Sequence, residues 1–174
     1  MTSIDFLILD FIQTHIVSPV LTPFFEFFTR LGNGGMLWIA IGVLLILFKK
    51  TRIIGIGLLA SLLIEDTICG RIIKPLVQRP RPFVQNPDIT LLIPKLSSYS
   101  FPSGHTASSF CAAVYLYGWN KKAGIPAIIT ALLIALSRLY FYVHFPSDVI
   151  CGFLLGTAVG LAGSYIVRTQ IRQR

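Results

Sequence analysis

"YSFPSGHTASSF" (residues 99–110) joins a Pro-Ser-Gly turn to a histidine and then to a run of small and apolar residues. The turn followed by that run places His105 at the mouth of a helix. The rest of the chain says what kind of helix. Of 174 residues, 54% are hydrophobic and only 13% charged, too little polar material to coat a soluble globule of this size. The chain is therefore read as all-α, a polytopic membrane bundle forming a single domain over residues 1–174.

Five segments have the length and hydropathy of spans of ~20 residues: 34–48, 53–72, 105–119, 123–142 and 148–168. They make up a core of residues 34–168. Before it, residues 1–31 are interrupted by Asp5, Asp10, Pro19, Pro23 and Glu26. That pattern suits two helices lying in the interface, with a sixth span as the alternative. The expectation is thus five to six spanning helices with interfacial N-terminal helices. Asp5 and Asp10 stand where a removable leader would be basic, so targeting is expected to come from the spans themselves.

The net charge of +8 is scattered among apolar segments and forms no basic tail or basic helix face, which argues against nucleic acid. Anionic lipid or a phosphate-bearing substrate is the better partner. Cys69, Cys111 and Cys151 lie in apolar stretches without disulfide or zinc spacing, so no metal is expected. Alternation of five spans puts Lys49, Lys50, Arg52, Lys121, Lys122, Arg168, Arg172 and Arg174 on one face. Several of the remaining cations have another use, and with those discounted this face is cytoplasmic. The proline-rich loop 75–104 then faces outward, and a loop that long is usually functional.

Three stretches come together at that outer face: "KPLVQRPRP" from Lys74, "PSGH" from Pro102 and "SRLYFYVHFPSD" from Ser137. Lys74, Arg79 and Arg81 read either as headgroup anchors or as anion ligands. Prolines on both sides of Arg81 stiffen its backbone, and a rigid guanidinium fork suits phosphate. Ser103 reads as a helix N-cap, yet a helix start also offers free N–H groups to an anion. Gly104 lets that anion approach closely, and His105 then projects beside it, placed to give a proton. Arg138 lies too deep in the fourth span to be idle and should face the bundle interior. His144 and Asp148 read either as a pair tying down a loop or as a nucleophile with its orienting carboxylate. Phosphoryl transfer asks for this set, with no metal or other cofactor if the cations bear the charge.

These stretches resemble the K-x6-R-P, P-S-G-H and S-R-x5-H-x3-D motifs of the type 2 phosphatidic acid phosphatase (PAP2) superfamily, which includes membrane lipid phosphatases and vanadium haloperoxidases. All three match in order and spacing. The resemblance implies that His144 attacks phosphorus to give a phosphohistidine, with Asp148 orienting it and His105 protonating the leaving group. It further implies that Lys74, Arg81, Ser103, Gly104 and Arg138 hold the phosphoryl oxygens. Tyr142 departs from the small residue, such as glycine, expected there in many members, which would make the pocket wall bulkier. The resemblance to bacterial members implies undecaprenyl diphosphate, phosphatidylglycerol phosphate, and phosphatidate or diacylglycerol diphosphate as substrate choices, reached from the outer side of the plasma membrane if the charge pattern sets the orientation.

Two further readings stay open. Phosphotransfer to a second lipid is a close variant of hydrolysis, and a non-catalytic lipid-phosphate binder or transporter would use the same cations without needing His144 as a nucleophile. Haloperoxidase chemistry is remote for a small bundle without a bulky soluble body. Glu65 and Asp66, in the outer half of the second span, read as a buried ion pair with Arg71 or Arg138, or as residues that position the site cations.

Overall fold

The computed structural model describes residues 2–173, and among them it is all helix and connecting turns. In chain order the elements are α1 (Thr2–His15), α2 (Leu21–Leu31), α3 (Met36–Leu47), α4 (Arg52–Asp66), α5 (Lys74–Val77), α6 (Pro82–Gln85), α7 (Gly104–Trp119), α8 (Lys121–Tyr140) and α9 (Pro146–Arg172). Three helical runs are long and apolar enough to cross a membrane: Arg52–Gln85, Lys121–Tyr140 and Pro146–Ile171. Leu21–Leu31 and Asn33–Leu47, bent by 47°, supply a fourth when taken as one broken span. The described residues thus give three to four candidate crossings where the sequence reading has five to six.

The difference has two physical sources. The apolar run at 34–48 is short by itself, and α2 completes it across a kink at Gly34 and Gly35, both with positive φ. So α2 and α3 can be taken together as one broken span or as a re-entrant pair. The second source is α7, whose 16 residues reach only ~24 Å. It packs against α9, α8 and α4, which spares it a lipid-facing surface of its own. The 14 residues of α1 are too few to cross and keep the interfacial expectation.

Small residues set how closely α7 and α9 approach. Gly152, Gly156 and Gly160 recur every fourth position and form one stripe on α9. A Cβ built on Gly152 would stand 2.6 Å from the Ser103 carbonyl oxygen, and one on Gly160 2.5 Å from that of Cys111. At Gly156 the collision is with the Ala107 carbonyl. Since the obstacle is backbone, no rotamer change relieves it, and Gly156→Ala should cost several kcal/mol by forcing the helices apart. Thermal unfolding in detergent is expected to drop by several degrees or more, with purified yield falling alongside.

The second span changes its winding just below the site. Residues Thr67–Ile73 form a π-helical stretch between α4 and α5. Pro75 has no N–H to return to Arg71, and the widened turns before it accommodate that loss. The expected loop 75–104 contains α6, and Gln78 at φ 49° turns the chain between α5 and the Arg79–Arg81 segment.

At the other side of the site, α8 ends at Tyr140 and α9 begins at Pro146, with proline at the first helical position where its missing N–H costs nothing. The carboxylate of Asp148 reaches back to accept from the Phe145 N–H at 2.9 Å, closing the helix start. Tyr142 sits in this turn at φ 55°, in the left-handed region that favours glycine. Its side chain does not enlarge the pocket wall. The hydroxyl donates to Asp10 Oδ1 at 2.7 Å and accepts from Asn86 Nδ2 at 3.3 Å, within a cluster that includes Leu9, Phe83, Phe141 and Phe145.

Candidate active site

A cavity of about 570 Å³ opens where the C-terminal end of α4, α5 and the N-terminal end of α7 meet the α8–α9 turn. Its polar wall carries Lys74, Arg81, Gly104, His105 and His144 together with the carboxylates Glu65 and Asp66, and its apolar wall includes Ile39, Leu59, Leu62 and Leu63. Five of the eight residues singled out from the sequence therefore face one space. The other three, Ser103, Arg138 and Asp148, are buried directly behind it, each at most 1% exposed.

Arg81 binds the separate segments together. Its Nε donates to the Ser98 carbonyl at 2.7 Å, Nη1 to the Val143 carbonyl at 2.7 Å, and Nη2 to Ser98 Oγ at 3.0 Å. The same Nη1 lies 3.1 Å from His144 Nε2. Because a guanidinium can only donate, His144 Nε2 must hold a lone pair, and the ring proton sits on Nδ1. That Nδ1 is 3.5 Å from Asp148 Oδ2. The free nitrogen of His144 thus points toward the cations, and the protonated one toward the carboxylate.

His144 lies in the turn between α8 and α9. Burial, with the positive charges of Arg81, Arg138 and Lys74 around it, holds its imidazole well below the ordinary histidine value. Both effects favour the neutral ring over the imidazolium.

Asp148 is completely buried and densely held. Oδ1 accepts from Arg79 Nη1 at 2.6 Å, and Oδ2 accepts from Ser100 Oγ at 2.5 Å and from the Phe145 N–H. Arg79 is accordingly not a headgroup anchor. It stacks over the Phe145 ring at 3.9 Å and also pairs with Asp5 at 2.8 Å. Neither Asp5 nor Ser100 stands out in the sequence, since each meets its partner only through the fold.

At the start of α7, Ser103 occupies the N-cap position but makes no capping bond; its hydroxyl accepts from Thr106 Oγ1 at 2.9 Å. No side chain therefore caps the first turn of this helix. A Cβ at Gly104 would meet nothing closer than Cys69 Sγ at 3.9 Å, so packing within the protein does not demand glycine there. His105 Nε2 is 3.0 Å from Asn33 Oδ1 at the α2–α3 kink. Gly32 leaves room for that ring, as a Cβ there would stand 2.7 Å from His105 Cδ2.

Arg138 faces the bundle interior as expected. It donates through Nη1 to Thr29 Oγ1, while Nε and Nη2 are buried without a partner. Lys74 donates to the Tyr99 carbonyl at 2.7 Å. The expected buried pairing of Glu65 and Asp66 is only half met. Asp66 does approach Arg71, at 3.8 Å, but both are largely exposed. Glu65 is 2% exposed, and its Oε1 has no partner.

The arrangement sets two imidazoles and two cations around the mouth of a helix. Residues 53–172 match the PAP2 superfamily model, and the chain belongs to that superfamily. It is similar to an undecaprenyl-diphosphatase of Sulfolobus acidocaldarius, 40% identical over 133 residues covering 76% of this chain and 64% of the relative. It is also similar to phosphatidylglycerophosphatase B of Bacillus subtilis, 31% identical over 156 residues covering 81% and 72% respectively. The crystal structure of a transmembrane PAP2 type phosphatidylglycerolphosphate phosphatase from Bacillus subtilis superposes with a TM-score of 0.78 at 27% identity, covering 99% of this chain and 86% of the other. Aquifex aeolicus LpxE gives 0.77 at 31% identity, covering 93% of each chain. The chain spans 63–66% of the length of three curated relatives that it matches.

Proposed function

We propose that this protein is an integral membrane lipid phosphatase that hydrolyses a lipid phosphate or diphosphate through a phosphohistidine on His144, without a metal. The observation that carries the reading is the bond from Arg81 to His144 Nε2 at 3.1 Å, which makes Nε2 the unprotonated nitrogen, its lone pair held by Arg81 until a phosphoryl oxygen takes that donor. The phosphoryl group sits between Lys74, Arg81 and the first turn of α7. Ser103 and Gly104 let the backbone there approach it, and the unpaired Nε and Nη2 of Arg138 turn to its oxygens.

His144 Nε2 attacks phosphorus as the bond to the leaving oxygen breaks, and the imidazolium of His105 gives that oxygen its proton. Asp148 faces the Nδ1–H and stabilises the positive ring that forms. Water, losing a proton to His105, then attacks the phosphohistidine, releasing phosphate and regenerating His144. The lipid tail lies along Ile39, Leu59, Leu62 and Leu63.

The membrane reading follows. With α7 counted, the bundle has five crossings, its cationic ends Lys49, Lys50, Lys121 and Lys122 lie in the cytoplasm, and the cavity opens to the outer leaflet of the plasma membrane. Long-chain prenyl diphosphate and phosphatidylglycerol phosphate, named in the relatives, are the substrate classes to test first.

Purified protein in detergent is expected to release inorganic phosphate from a short-chain member of at least one class, at an undiminished rate in EDTA. Activity appearing only with added divalent metal would remove the phosphohistidine mechanism, and no release from any lipid phosphate would favour a binder. The rate should follow a bell in pH. Its acid limb lies below the ordinary histidine value of ~6.5, because His144 must be neutral and burial among cations keeps it so.

A further inference from the structure

Asp5, Arg79 and Asp148 form a buried chain of charges connecting α1 to the carboxylate that faces His144, and α1 lies outside residues 53–172 that match the family model. Asp5 is 4% exposed, close to the chain's beginning, and such a residue needs a reason to be buried. Its Oδ1 accepts from the Ser147 N–H at 3.0 Å, and its Oδ2 from Ser147 Oγ at 2.7 Å and from Arg79 Nη2 at 2.8 Å. Arg79 turns its other nitrogen, Nη1, to Asp148 Oδ1 at 2.6 Å and to Ser147 Oγ at 2.7 Å. One guanidinium is thus shared between two carboxylates supplied by α1 and α9. Anchoring α1 alone would need one such pair, on any exposed surface of the bundle. Here the pair is made to the carboxylate beside the nucleophile.

We propose that Asp5 is a positioning residue for the phosphoryl-transfer site: by holding one side of Arg79 it sets how strongly that cation engages Asp148, and so how firmly Asp148 supports His144. This rests on the reading of His144 as the nucleophile. Asp148 has a limited number of lone pairs, and Arg79, Ser100 and the Phe145 N–H already claim several, leaving His144 Nδ1 at 3.5 Å. Were Asp5 absent, the full charge of Arg79 would fall on Asp148, and the carboxylate would be drawn from the imidazole. Ser147, freed of both its bonds to Asp5, would also loosen the first turn of α9.

The titratable and charged groups around His144 are Asp148 from α9, Arg81 at the start of α6, Lys74 from α5, Arg138 from α8 and His105 from α7, with Glu65 and Asp66 of α4 lining the same cavity and unchanged in every variant below. Arg79 and Asp5 stand behind Asp148 as a neutral pair. Breaking that pair from either end therefore changes the field at His144 with opposite signs. Asp5→Asn leaves Arg79 unbalanced and disfavours the imidazolium; Arg79→Gln leaves Asp5 unbalanced and favours it.

The test is the pH profile of kcat/KM for wild type, Asp5→Asn, Arg79→Gln and the double variant, with thermal unfolding measured alongside. Asp5→Asn should lose about tenfold in kcat with little change in KM. Its acid limb should move down by on the order of half a pH unit, and that of Arg79→Gln up by a similar amount. The double variant should return the limb close to wild type. Limbs that coincide in all four active proteins, or that move in the same direction, overturn the proposal whatever the unfolding temperatures are. The same opposed shifts are readable without turnover in the ¹⁵N imidazole spectrum of His144. If wild type hydrolyses no lipid phosphate, the enzymatic reading fails by itself, and the spectrum alone decides whether Asp5 and Arg79 tune His144.

Discussion

His144→Ala is expected to abolish phosphate release, with kcat falling by at least ~10⁴-fold while the protein purifies in normal yield and still binds its lipid. In the proposed mechanism the alanine removes the nucleophile, whereas the proposed anion site of Lys74, Arg81, Arg138 and the first turn of α7 persists. Its structural cost should be small, because the His144 ring fixes nothing else in place. Among the described residues Nδ1 has no hydrogen-bond partner, and Nε2 meets only Arg81, which is independently held by Ser98 and Val143. Lipid binding measured by fluorescence or calorimetry should therefore survive in the variant. Retained turnover within tenfold of wild type would mean that another group, or water directly, attacks phosphorus.

The second large effect is at Arg81. Arg81→Lys keeps the charge but cannot keep the geometry: the guanidinium simultaneously reaches the carbonyls of Ser98 and Val143, the Ser98 hydroxyl and His144 Nε2. A lysine ammonium is a compact charge that cannot span those positions. The expected loss in kcat/KM is ~10²-fold to ~10³-fold, the scale of removing one preorganised donor to developing negative charge. Because Arg81 also joins the proline-rich segment to the α8–α9 turn, part of the loss should appear as a lower unfolding temperature. Steady-state kinetics at fixed lipid mole fraction, together with thermal unfolding, would separate the two. A lysine variant as active as wild type would show that charge suffices and that the fork has no role in catalysis.

Much of the cavity's polar lining is legible in the sequence because the motifs that supply it are local. Cations flanked by proline, a Pro-Ser-Gly turn before His105, and His144 four residues before Asp148 are local patterns, and the fold brings all three to one cavity as expected. Partnerships across long separations are not legible. Asp5 and Ser147 lie 142 residues apart, and Asn33 and His105 72 apart, so nothing in either neighbourhood announces the contact. Arg79, which the sequence leaves open between anchor and anion ligand, is the instructive case. Its position near a span end fits a headgroup anchor, and what turns it inward is a set of distant partners, Asp5 of α1 and Asp148 of α9.

The span count follows the same division. Hydropathy finds apolar runs but does not show that α2 continues into α3 across the glycine kink, or that α7 can be short because its neighbours enclose it. By contrast, the Gly152, Gly156 and Gly160 stripe was available from spacing alone, since small residues at every fourth position mark a close helix contact. At Tyr142 the sequence shows the departure from glycine. The positive φ gives its backbone reason, and the hydrogen bonds to Asp10 and Asn86 show where the larger side chain goes.

The most direct test of the account is to quench the enzyme during turnover of a ³²P-labelled lipid phosphate and locate the label by tandem mass spectrometry under alkaline conditions. The prediction is acid-labile, alkali-stable phosphate on His144, formed and consumed at a rate compatible with turnover and missing from His144→Ala. Full turnover with no label on the protein at any quench time, or with label on a residue other than His144, would contradict it.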